Sequence, residues 1–117
     1  MIPVTQPQPA LKVYDGMHKQ VAISDIKYLV GSTNYCFIHL VNQPPILIPY
    51  HLKEMQRRLP DFVRIHKGYL INPLFLPTNL RLRYQTKAVL LTTGDALPIA
   101  RRRVTELAVR FNSNRPQ

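Results

Sequence analysis

Residues 64–73 read Arg-Ile-His-Lys-Gly-Tyr-Leu-Ile-Asn-Pro, RIHKGYLINP. Apolar residues on both sides of a polar centre, with a glycine in the middle and Asn-Pro at the end, predict two short extended pieces joined by a bend. With Phe62 and Val63 upstream, the pieces are expected at 62–65 and 69–72. Gly68 beside Lys67 predicts a tight bend that throws Lys67 outward. Ile65, Leu70 and Ile71 supply the anchoring apolar contacts. His66 is expected either as a satisfied core histidine or, preferably, as a brace for the bend. So much polar material beside strands that must be buried points to a segment that leaves the core to touch a ligand.

Outward from that segment the chain keeps to short runs. LKVYDGMHKQVAI (11–23) has the pattern of a hairpin, with Asp15-Gly16 at its turn. IKYLV (26–30) and NYCFIHLV (34–41) are two further strands around Gly31-Ser32-Thr33. Alternation puts Tyr35, Phe37 and His39 on one face and Cys36, Ile38 and Leu40 on the other. Asn42-Gln43-Pro44-Pro45 breaks the pattern before a short strand, Ile46-Leu47-Ile48. Leu52, Met55 and Leu59 recur at helical spacing and predict a helix over 51–59, which Pro60 stops.

Leu74-Phe75-Leu76, bracketed by Pro73 and Pro77, is loop-like. LRLRY (80–84) alternates strictly and predicts a strand. Residues 87–90 alternate more weakly and pair with 97–99 across Thr93-Gly94-Asp95 as a second hairpin. Val104, Leu107, Ala108 and Phe111 form the apolar stripe of a helix over 101–111. Residues 1–10 hold three prolines and are expected as a flexible or extended arm, and 112–117 as a polar tail. Short strands with two short helices predict an antiparallel, mostly-β domain.

Charge narrows the function. Sixteen Lys and Arg face six Asp and Glu, a net charge of +10 over 117 residues. The excess is uneven. Residues 1–52 carry Lys12, Lys19 and Lys27 against Asp15 and Asp25, whereas 53–110 carry twelve cations against Glu54, Asp61, Asp95 and Glu106. Such a concentration predicts an anionic partner: nucleic acid, acidic lipid or an acidic protein. Cys36 is the one cysteine, which excludes an internal disulfide and fits a reducing, cytoplasmic setting. Its apolar context marks it as a core residue. No apolar run reaches the roughly 20 residues of a membrane span, so membrane insertion is not expected.

Enzymatic motifs are missing: there is no phosphate-binding G-x-x-x-x-G-K-[ST] loop, C-x-x-C or H-E-x-x-H. The four histidines lack ligand spacing and the carboxylates are scattered. No catalytic residue, metal ligand or cofactor is therefore expected. The positive signals are three. Arg101-Arg102-Arg103 begins the last helix, where cations oppose the helix dipole and where Glu106 is spaced to offset part of the cost. Lys67 and its neighbours form a second basic cluster. The loop Gly31-Ser32-Thr33-Asn34 offers small polar donors of the kind that bind phosphates, and Asn can read adenine.

The order I-K-Y-L-V-x-x-x-N-Y-C-F-I, L-K-E-M-Q-R-R-L, F-V-R-I-H-K-G-Y-L-I-N and V-L-L-T-T-G-D-A-L-P-I-A-R-R-R-V-T-E-L resembles the LytTR DNA-binding domain over residues 11–111. The resemblance implies an elongated stack of small antiparallel sheets with two short helices. It implies a bacterial-type transcription regulator that binds double-stranded DNA through loops entering successive major grooves. By position, Asn34, Lys67 and Arg102 would contact bases. Ser32, Thr33, Arg64, His66, Tyr69, Arg101 and Arg103 would contact phosphates or brace the loops. Ala100 and Gly68 stand where the family commonly has Ser, which removes two hydroxyl donors. Many members carry a receiver domain, so this chain would act with a separate regulatory protein, alone, or as a piece of a larger regulator. A homodimer on repeated half-sites is compatible with so small a module. Two other classes compete: a non-specific nucleic-acid or RNA-binding module, and a basic protein-interaction module.

Overall fold

A computed structural model describes residues 9–83 and 85–113. Strands β1 (Ala10–Tyr14) and β2 (His18–Ala22) form the first hairpin, with Ala10 opposite Ala22 and Tyr14 opposite His18. Its turn has Gly16 at φ +104°, a backbone region glycine enters without penalty. Asp15 closes the turn by accepting from the Met17 amide at 3.2 Å. The hairpin thus takes in Ala10, and Pro9 O accepts from Ile23 N at 3.0 Å. The rest of the expected arm, 1–8, and the tail end, 114–117, lie outside the described residues.

The central sheet contains β3 (Ile26–Gly31), β4 (Cys36–Leu40), β5 (Gln43–Ile48), β6 (Val63–His66) and β7 (Tyr69–Ile71). All neighbours run antiparallel, in the order β5-β4-β3-β7-β6. Asn34 and Tyr35 belong to the β3–β4 loop rather than to β4. Pro44 and Pro45, expected as a break, lie inside β5. That strand is at the edge of the sheet, and its pairing with β4 is irregular between Ile38–Ile46 and Leu40–Gln43, so the two prolines sit at a bulge where missing amides are tolerated.

Alternation buries one face along β3, β4, β5 and β7, and the other along β3, β6 and β7. Leu29, Cys36, Ile38, Ile48 and Leu70 face the β1–β2 hairpin and helix α1 (Leu52–Arg58), whose Leu52 and Met55 complete that core with Leu11, Val13 and Val21. Tyr28, Val63, Ile65 and Ile71 face the other way. They pack against the hairpin of β8 (Ala88–Leu90) and β9 (Ala96–Pro98) and against α2 (Arg101–Ser113). Val104 and Leu107 form the buried stripe of α2, with Ala108 and Phe111 partly covered. Gly94, at φ +95°, makes the β8–β9 turn. The result is a mostly-β domain of several small antiparallel sheets with two helices.

Residues 80–83 are the main departure. They alternate in sequence but are not a strand, and Tyr84 lies outside the described residues. Leu82 is buried among Val89, Leu97 and Val104, so the alternation reflects anchoring of a loop to the core. Among the described residues no helix is long and apolar enough to cross a membrane.

Candidate nucleic-acid interface

Three segments meet at one end of the central sheet. Gly31 N, at the end of β3, donates to Gly68 O at 2.8 Å, which joins the 31–35 loop to the β6–β7 bend. Ala100 N, just before α2, donates to Ile65 O at 2.7 Å, which joins the helix start to β6. These contacts exist because β7 lies between β3 and β6, so the bend at Lys67-Gly68 emerges beside the end of β3.

In the first segment Ser32 N donates to Tyr35 O at 2.8 Å. This closes a turn with Thr33 and Asn34 at its tip, and Ser32, Thr33 and Asn34 are all exposed. Gly31 meets a requirement that its sequence context does not signal. A Cβ there would stand 2.7 Å from Leu52 Cβ, so α1 can cross the end of β3 only over a glycine. Gly31→Ala is expected to cost about 1–3 kcal/mol through overpacking, read as a lowered urea midpoint. A midpoint unchanged from wild type would show that α1 shifts freely.

The second segment is held by side chains. Arg64 Nε donates to His66 O at 2.8 Å, its Nη1 donates to Gln56 Oε1 at 2.9 Å, and its Nη2 donates to Lys67 O. The guanidinium is thus wrapped into the bend. Burial, and next the charge of Arg103, lower its pKa. Of the two roles expected for Arg64, this geometry serves bracing. Gln56, which nothing in the sequence singles out, carries the brace across to α1. His66 Nδ1 accepts from Gly68 N at 3.1 Å, and its ring meets Tyr69 edge-on at 5.6 Å. Tyr69 itself is half-buried against the second core. Gly68 does not have a positive φ, and a Cβ there would meet Gly31 O at an ordinary 3.5 Å. The bend therefore owes its shape to Arg64 and His66, not to glycine's conformational freedom. Lys67 is exposed at its tip.

In the third segment Arg101 and Arg102 are exposed and Arg103 is half-buried. Arg103 N donates to Ala100 O at 2.9 Å in the first turn of α2. The expected offset by Glu106 does not form: among the described residues the ion pairs are Asp15–Lys19, Asp95–Lys27, and Glu54 with Arg57 and Arg58. The two arginines, Arg57 foremost, hold the Glu54 carboxyl down to about 2. Lys67 and Arg101–Arg103 are neutralised by none of these carboxylates, so their field adds at this end of the sheet.

Cys36 is fully buried, and burial pushes its thiol up to about 11, so it stays protonated at neutral pH. Among the described residues no three His, Cys, Asp or Glu side chains gather where a metal ion could sit.

The family model of the LytTr DNA-binding domain matches residues 17–112. The chain belongs to the LytTR family. The match opens in the turn of the first hairpin, so β1 precedes it. Among solved structures, the chain is similar to the LytTr DNA-binding domain of a Bacillus cereus protein described as a methyl-accepting/DNA response regulator. The TM-score is 0.67 at 14% identity, with 91% of this chain and 98% of that one covered. At that identity the likeness speaks for the LytTR fold alone. No curated protein matches the sequence.

Proposed function

We propose that this LytTR domain is a sequence-specific binder of double-stranded DNA that regulates transcription by setting loop residues into successive major grooves. The observation that carries the reading is the pair of backbone hydrogen bonds, Gly31–Gly68 and Ala100–Ile65, that draws three polar or basic segments together. Arg102 is assigned to a base, with guanine O6 and N7 as the acceptors a guanidinium fits best. Lys67 and Asn34 read or position in the neighbouring grooves. Arg101, Arg103, Ser32 and Thr33 are assigned to phosphates, and Arg64, His66 and Tyr69 to holding the bend.

Arg102→Ala is expected to flatten sequence preference by about 1–3 kcal/mol, whereas Arg101→Ala should weaken all sequences alike and lower the salt slope by about one. Selection of bound duplexes from a random pool tests the first, and binding measured against salt concentration tests the second. A motif repeated at about one helical turn, or a multiple of it, would support a homodimer on half-sites. If the Arg102→Ala protein recovered the wild-type motif with unchanged ranking, Arg102 would not be a base reader.

A second reading, a non-specific single-strand or RNA-binding module, draws on one observation. Tyr35 and Phe37 are exposed and meet edge-on at 5.9 Å, a pair on which bases could stack. Competition decides between them. Single-stranded DNA should displace a bound duplex poorly under the first reading and efficiently under the second.

A further inference from the structure

We propose that Arg81, Arg83 and Lys87, in the stretch before β8, form a fourth DNA-contacting element, which binds backbone phosphates on the flank of the duplex beyond Arg101. This rests on the double-stranded DNA reading above. The motif behind it is the Leu-Arg-Leu-Arg alternation at 80–83, which the fold does not use as a strand.

The cations of residues 53–110 sort by what holds them. Arg57 and Arg58 are tied to Glu54, and Arg64 is wrapped into the bend. Lys67 and Arg101–Arg103 belong to the three segments already described. Five remain, and three of these, Arg81, Arg83 and Lys87, fall within seven residues. Charge kept for solubility alone has no reason to collect in one loop.

The loop is also built and placed. Leu82 is only 4% exposed, which pins the stretch to the second core while Arg81 and Arg83 on either side stay exposed. Arg83 N donates to Thr86 Oγ1 at 2.9 Å and Thr86 N donates to Arg83 O at 2.8 Å, so the two residues are tied to each other. Ile99 N donates to Lys87 O at 3.1 Å, which fixes Lys87 beside the approach to α2, two residues before Arg101. A groove of about 340 Å³ lies between the loop and the helix start, lined by Gln85, Thr86, Lys87, Ile99 and Arg101. It carries two cations, an amide and a hydroxyl, and no carboxylate. Those donors match a phosphodiester and carry no base code, so the element contributes affinity and orientation rather than sequence preference.

The test is salt-dependent binding by the triple variant Arg81→Gln, Arg83→Gln, Lys87→Gln, with two duplexes. One ends at the selected motif, and the other extends it by roughly ten base pairs on each side. On the long duplex the triple variant should bind roughly tenfold or more weakly than wild type near 0.15 M salt. Its log–log salt slope should be shallower by about two to three, at about 0.9 for each phosphate that is no longer neutralised. On the short duplex the two proteins should bind alike, and the preferred motif should be the same for both. Equal slopes on the long duplex overturn this inference while leaving the proposed function standing, provided that Arg102→Ala still flattens preference. Failure of the wild-type protein to bind any duplex overturns both. A difference of equal size on both duplexes would place the three cations inside the motif and overturn the flanking assignment.

Discussion

Asn72→Ala is expected to lower the unfolding free energy by about 2–3 kcal/mol, from three lost hydrogen bonds of which one leaves a buried carbonyl short of a donor. Asn72 is the one buried polar side chain among the described residues, at 5% exposure. Its Nδ2 donates to Ile23 O at 3.2 Å and to Ile26 O at 2.9 Å, and its Oδ1 accepts from Leu74 N at 3.0 Å. Its backbone N–H donates to Lys27 O at 3.0 Å. One side chain thus ties the end of β7 to the start of β3 and begins the turn at Pro73–Phe75. Alanine keeps the backbone bond but takes the side-chain donor from the buried Ile26 O; Ile23 O keeps the Ile26 amide as a donor, and the amide of exposed Leu74 can turn to water. Asn72→Asp should be at least as damaging, because it keeps the acceptor for Leu74 but turns a carboxylate oxygen toward two carbonyls. Urea unfolding checks both, with the midpoint falling and the slope unchanged. A loss below about 0.5 kcal/mol for Asn72→Ala, the size of an ordinary surface change, would mean that water or a shifted backbone replaces all three bonds.

Arg64→Ala should lose about 1–2 kcal/mol of stability, less than Asn72→Ala because part of the bend can recover hydrogen bonds from water. Its larger consequence is for DNA. Two of the three guanidinium bonds end on the carbonyls of His66 and Lys67, so without them the bend that presents Lys67 is left to the Gly31–Gly68 and His66–Gly68 hydrogen bonds and the His66–Tyr69 ring contact. Ordering that segment on binding then costs free energy which the wild type has already spent in folding, and duplex affinity should fall on the order of tenfold. Arg64→Lys separates bracing from simple charge. A lysine keeps the positive charge, but its single ammonium cannot satisfy three acceptors arranged around a planar fork. Bracing predicts that Arg64→Lys binds DNA nearly as poorly as Arg64→Ala. Full recovery by lysine would show that Arg64 acts as a phosphate-facing cation.

Much of the architecture was legible because it is local. The Asp15-Gly16 hairpin, the helix from Leu52 stopped by Pro60, and the alternation that buries Cys36, Ile38 and Leu40 each depend on a period or on a turn residue within a few positions. The misreadings share one cause, which is that distant neighbours set the outcome. LRLRY alternates as a strand does, but the alternation at 80–83 instead drops Leu82 into a core made by β8, β9 and α2. Pro44-Pro45 looks like a break, but β5 is at an edge where missing amides are tolerated. Gly68 suggested a tight bend, and Gly31 carried no such signal. The positions reverse once α1 is known to cross Gly31, with Leu52 against it.

Residue types alone determined that the chain would fold as short strands with two capping helices, that its second half would carry most of the positive charge, and that three polar or basic loops would stand out. Tertiary structure decided that these loops adjoin, because insertion of β7 between β3 and β6 is a pairing between distant segments that no local period encodes. It also decided which cations are free. Arg64 and Lys67 are three residues apart and equally basic, yet one is folded inward onto carbonyls and the other is left to solvent. That difference comes from the path of the bend and the position of Gln56 on α1, not from either side chain's own chemistry.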